Sequence, residues 1–172
     1  MISSRGPRLV WLSIVAGAVT LLAAACAAPL LAAGGHHAPA FVAYRLFGVI
    51  CHQMPERSFE LRDFPLAVCA RCFGLYAGFA AGALFYPAAR RLPDPPPHRR
   101  WLLLALIPTA LDFGLDFVGL RANTHESRAW TGALLGAVSA FYVVPGLVDL
   151  LRVAGRALLR GPDRDKLRPS RA

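Results

Sequence analysis

Between Leu9 and Ala33 the chain carries no charged residue for 25 positions. A bilayer-spanning helix needs about 20 apolar residues, whereas the apolar part of a secretory leader is about 7–15. The block is therefore read as a retained transmembrane helix, with Arg5 and Arg8 ahead of it. Further apolar blocks follow, at about 67–86, 101–120 and 130–151. At 56% hydrophobic residues over 172 positions, the chain is more apolar than a soluble domain of this size. The expectation is an all-α fold, a membrane bundle of four transmembrane helices. Residues 1–155 form a single integral membrane domain, and 156–172 form a basic, disordered cytoplasmic tail.

Between the first two spans, Gly34-Gly35-His36-His37 reads as a break. Phe41–Ile50 is apolar but short and interrupted by Arg45, so it is expected to be a short interfacial helix leading into Cys51. Gly74, Gly78 and Gly82 repeat at four-residue spacing in the second span, as do Gly132 and Gly136 in the fourth. Such stripes let two helix backbones approach closely.

The net charge of +9 is nearly all arginine. Basic charge on a membrane protein sets orientation, because cytoplasmic loops carry the excess. With the N-terminus inside, inner segments hold 13 of the 19 basic residues and outer segments hold six. Both termini are therefore expected in the cytoplasm of a multi-pass protein of a prokaryotic inner membrane. Nucleic-acid binding would need a basic soluble module, and none is legible. The partner implied is the lipid bilayer, with a membrane-protein partner or a homo-oligomer also compatible.

The chemistry-bearing residues cluster on the outer side. Cys51 and His52 precede a Cys-x-x-Cys pair, Cys69 and Cys72. Zinc takes four nitrogen or sulfur ligands, and two thiolates spaced this way reach one ion readily. The metal candidates are Cys51, His52, Cys69 and Cys72, with zinc or a similarly soft metal as the cofactor. His36, His37 or His125 are alternatives for the fourth place. The same residues allow a second reading. A Cys-x-x-Cys at a helix start with Arg71 between the thiols favours thiolate, which suits a membrane thiol–disulfide oxidoreductase using Cys69 and Cys72. A structural disulfide from Cys51 to either partner is a third. No catalytic residue is legible: Ser58 lacks a nucleophile elbow, and no phosphate loop or dinucleotide fingerprint occurs.

Asp112 and Asp116 lie one turn apart in the third span and so share a face. A carboxylate there costs about 2.5–3.5 kcal/mol on insertion scales and needs a partner. Arg71, Arg121 and Arg128 are expected at the same level. Buried ion pairs fixing helix register and a polar cavity for an ion or proton both remain open.

Cys51-His52-Gln53-Met54-Pro55-Glu56-Arg57-Ser58-Phe59 and Cys69-Ala70-Arg71-Cys72-Phe73-Gly74-Leu75-Tyr76-Ala77-Gly78 resemble the signature of a family of small prokaryotic predicted integral membrane proteins of unknown function. Asp112 and Arg128-x-x-Thr131-Gly132-x-x-x-Gly136 are similar to its C-terminal half. The resemblance implies an integral membrane protein and marks Arg57, Arg71, Asp112 and Arg128, with the Cys/His positions, as a site. Asp116 stands where the family pattern has an uncharged polar residue. The family brings no activity with it.

Overall fold

The computed structural model describes residues 5–92 and 94–160. The first helix, α1, runs Arg5–Ala33. It stops at the two glycines: Gly35 takes a φ of +78°, and the His36 amide donates to the Leu31 carbonyl at 2.9 Å. The Gly35 amide donates to Ala32, which completes a left-handed helix cap. The chain turns at once into α2, His37–Phe47, which starts earlier than the Phe41–Ile50 segment expected to be helical.

The segment between Cys51 and Cys69 is folded. A single 3-10 turn, Pro55–Arg57, is followed by a two-stranded antiparallel hairpin, β1 (Glu60–Leu61) and β2 (Phe64–Pro65). Its two central residues, Arg62 and Asp63, have φ of 54° and 64°. Positive φ at both positions is the turn whose twist matches paired strands. The all-α expectation omitted this hairpin because neither residue is glycine or asparagine, the usual sign of such a turn. Three more helices follow among the described residues: α3 (Ala70–Ala89), α4 (Arg100–Phe117) and α5 (His125–Arg160). Residues 161–172, most of the expected tail, lie outside the described residues.

Helices α3 and α5 run parallel and form the densest interface. Gly74, Gly78 and Gly82 lie against Ala129, Ala133 and Ala137, while Gly132 and Gly136 receive the Arg71 and Leu75 carbonyls. A methyl group at any of these five glycines would collide with the facing backbone. The small residues thus mesh from both sides, the packing that membrane helices use in place of hydrophobic collapse. Helix α1 lies antiparallel to α3. Its Trp11 indole donates to the Ala83 carbonyl at 2.7 Å near one end, and its Ala25 carbonyl faces the Ala67 amide near the other. Helix α4 lies antiparallel to α5, with Thr109 donating to the Thr131 carbonyl at 3.1 Å.

Among the described residues, three helices are long and apolar enough to cross a membrane: Gly6–Ala33, Ala70–Ala89 and His125–Gly155. Helix α4 differs from them because its 18 residues include Arg100, Asp112 and Asp116. Much of its apolar surface is nonetheless open, including Leu103, Leu111, Phe113 and Phe117.

Candidate functional site

Three cysteines come together at one end of the bundle. The turn after α2 places Cys51, whose amide donates to the Phe47 carbonyl at 2.9 Å. Cys69 is the residue immediately before α3, with extended backbone, and Cys72 sits in the first turn of that helix. The sulfur atoms of Cys51, Cys69 and Cys72 lie within 4.8 Å of one another. Cys51 is buried and the other two are half-buried, packed beside Ala25, Ala28, Phe47, Ala67 and Val68. All four cysteines are free thiols, and Cys26 lies apart in α1.

The donor set suits a soft cation. Thiolates at about 2.3 Å from one zinc stand about 3.8 Å from one another, so the gathering needs at most about 1 Å of contraction. The Cys69 amide already donates to the Cys51 sulfur at 3.2 Å, which ties the two cysteine-bearing segments together. The Cys69 thiol is pulled down to about 5, chiefly by the hydrogen bond from the Cys72 thiol. The Cys72 amide, the Cys51 thiol and the Arg71 amide add to this, while burial opposes it.

Three hydrogen bonds seat Cys51 where it is. Gln53 takes a left-handed φ of 51°, and its Nε2 donates to the carbonyls of Tyr44, at 2.8 Å, and Ala67, at 2.7 Å. The Tyr44 hydroxyl donates to the Pro65 carbonyl at 2.6 Å. The loop after Cys51 is thereby tied to both α2 and the approach to Cys69. Sequence reasoning missed Gln53; its place two residues after Cys51 carries no sign of a clamp.

No histidine joins the three sulfurs. His52 is exposed, as are His36 and His37. The His125 ring meets the Glu56 carbonyl at 3.0 Å and stands edge-on to Phe59. Arg57 is exposed in the 3-10 turn.

Arg71 links the cysteines to α4. Its guanidinium meets Asp112 at 2.6 Å and lies over the Phe113 ring. Asn123 donates its side-chain amide to Asp112 and its backbone amide to Asp116, both at 3.3 Å. Arg128, buried, faces Asp116 at 3.8 Å. A cavity of about 250 Å³ opens here, lined in part by Asp112, Asn123, Arg121, Ser127 and Thr131. Two buried atoms of the network, Arg71 Nε and Asn123 Oδ1, have no hydrogen-bond partner among the described residues. The i, i+4 spacing of the two aspartates announced their shared face. Asn123 stood in the sequence as one polar residue of a turn, with nothing to mark it as the bridge between them.

The family profile described as "Predicted membrane protein (DUF2085)" matches residues 51–142, from Cys51 into α5. An uncharacterised protein of Methanocaldococcus jannaschii is 40% identical over 109 residues, covering 63% of this chain and 70% of that relative. An uncharacterised protein of Methanothermobacter thermautotrophicus is 34% identical over 97 residues, covering 52% of this chain and 80% of that relative. No solved structure matches the chain. The chain therefore belongs to this family of predicted membrane proteins.

Proposed function

We propose that this family member is a multi-pass integral membrane protein that holds a soft metal, zinc first among the candidates, on Cys51, Cys69 and Cys72 at its outer face. The observation that carries the reading is the convergence of three sulfurs from two chain segments onto one point. The fourth position falls to His52 after a rotation of its exposed side chain, or stays open to water or a transferred ligand. A closed set of four protein ligands is the mark of a structural zinc; three plus an open place marks catalysis or transfer. Zinc would act here as a Lewis acid or as cargo. The chain's own residues would gather the thiolates, through the Cys69 amide and the Gln53 clamp, and keep them half-buried.

Helix α4 completes a four-span topology in this reading. Eighteen residues reach about 27 Å, close to the hydrocarbon thickness of a bilayer. Its two carboxylates face arginine and asparagine, as intramembrane charges do. The arginine asymmetry read from sequence puts both termini in the cytoplasm and the cysteines outside.

Metal analysis tests the site. Protein purified under reducing conditions should carry about one equivalent of zinc or a similarly soft metal per chain, and Cys51→Ser, Cys69→Ser or Cys72→Ser should each release most of it. Metal-free protein under those conditions would refute the reading.

The Cys69–Cys72 pair at the start of α3 favours one second reading, a thiol–disulfide oxidoreductase. The Cys69 thiolate would attack a partner's disulfide and release one partner thiolate, forming a mixed disulfide. Cys72 would then displace the second partner thiolate, leaving a Cys69–Cys72 disulfide and a reduced partner. Mass spectrometry of protein treated with a disulfide substrate discriminates: this reading requires an intramolecular Cys69–Cys72 disulfide formed in step with substrate reduction.

A further inference from the structure

Beside the cysteines, α2 and the turn after it enclose a second cleft of about 270 Å³, lined by Phe41, Tyr44, Arg45, Gly48, Val49 and Gln53. Its two walls differ in character. Arg45, in the last turn of α2, brings a guanidinium that no carboxylate reaches among the described residues. Around it stands a collar of open apolar side chains: Val49 is 84% exposed, Leu46 68% and Phe41 65%, with Val42 and Ile50 also exposed. A soluble surface seldom concentrates so much exposed apolar area on eleven residues and a turn. Helix α2 leaves the end of the first apolar helix after only a glycine turn, so the collar continues the surface that α1 presents to lipid.

We propose that this cleft is a binding site for the phosphate headgroup of an anionic phospholipid. Arg45 contacts the phosphate, and the collar takes the first part of the acyl chains. The guanidinium fork matches two phosphate oxygens, and an arginine at the bilayer surface is attracted to anionic lipid. The volume lies just under the roughly 300 Å³ of the smallest ligand pockets, room for a headgroup and not for a whole lipid. The collar assigns the phosphate to a lipid: a free phosphate would gain nothing from five exposed apolar residues beside it. The back wall is rigid, because Gln53 and Tyr44 are held by the hydrogen bonds to Ala67 and Pro65. Gln53 thus serves two sites, closing the cleft on one side and seating Cys51 on the other.

The test uses the full-length protein, delipidated in detergent and titrated with phosphatidylglycerol or phosphatidylcholine under native mass spectrometry. A phosphatidylglycerol adduct should form ahead of phosphatidylcholine. Arg45→Gln should weaken phosphatidylglycerol binding about five-fold, the effect of one arginine at an anionic lipid surface, and weaken phosphatidylcholine binding less, because choline already offsets the charge of that phosphate. Arg62→Gln, in the exposed hairpin turn, should change neither. Equal phosphatidylglycerol affinity in Arg45→Gln and the parent would overturn the site, and so would an equal loss in Arg62→Gln, which would mean diffuse charge attraction. Displacement of phosphatidylglycerol by inorganic phosphate would overturn the lipid assignment. None of these readings depends on the metal content of the protein.

Discussion

Helix α5 is gripped on two sides by opposite means. Against α3 it is small and close: five glycines bring two parallel backbones together. Against α4 it is loose and polar. Asp116 faces Arg128 and Thr109 donates to the Thr131 carbonyl, while Asp112 reaches past α5 to Arg71 of α3 and to Asn123 of the preceding loop, and a cavity remains beside them. The difference shows how the two jobs of the bundle are divided. The α3/α5 seam fixes the helix that starts at the cysteine pair, because the Arg71 carbonyl itself is seated on Gly132. The α4 side, held by few specific contacts, is where polar groups and open volume are kept.

The comparison can be broken first at the seam. In Gly78→Ala the added methyl would sit within the Ala133 backbone. Stability should fall by more than about 3 kcal/mol, read as thermal unfolding in detergent or as loss of folded protein. Unfolding at the parent temperature would mean that α3 and α5 do not mesh. On the polar side, Asp112→Ala leaves the Arg71 guanidinium without its carboxylate in a half-buried setting, a loss of about 2 kcal/mol. Asp112→Asn, which can still accept from Arg71, should lose about half as much. Equal losses for the two would show that shape, and not the acceptor, is what α4 supplies.

A glycine outside the seam sharpens the contrast. Gly114 in α4 has open space where a methyl would go. Gly114→Ala should therefore stabilise the protein by up to about 1 kcal/mol, the opposite sign to Gly78→Ala in the same assay. The smallest effect belongs to Asp116→Asn. Its pair with Arg128 is long at 3.8 Å and partly open, so about 0.5 kcal/mol is expected. A loss as large as that of Asp112→Ala would mean the two carboxylates act as one unit.

The seam was legible in the sequence and the polar side only in part. Glycines at four-residue spacing admit few purposes in an apolar helix, and the structure meshes them. Apolar blocks announced α1, α3 and α5 for the same reason, that a bilayer sets both length and composition. Boundaries were less clear: α5 begins at His125, ahead of the apolar block, where Thr124 and Ser127 exchange hydrogen bonds at its first turn. The hairpin at Arg62-Asp63 and the clamp at Gln53 were not legible. Both depend on left-handed backbone at residues that do not usually advertise it. The partner of Asp112 was legible as one of a few arginines at its level; the packing of both α3 and α4 against α5 selects Arg71, 41 residues away.

The central claim is that Cys51, Cys69 and Cys72 act together on one metal. X-ray absorption fine structure at the zinc edge, on the zinc-loaded protein in detergent or lipid, measures this directly. The account predicts three sulfur neighbours at about 2.3 Å and one lighter neighbour at about 2.0–2.1 Å. A shell of oxygen and nitrogen alone, or a protein that retains no zinc while its three thiols stay reduced, would contradict it.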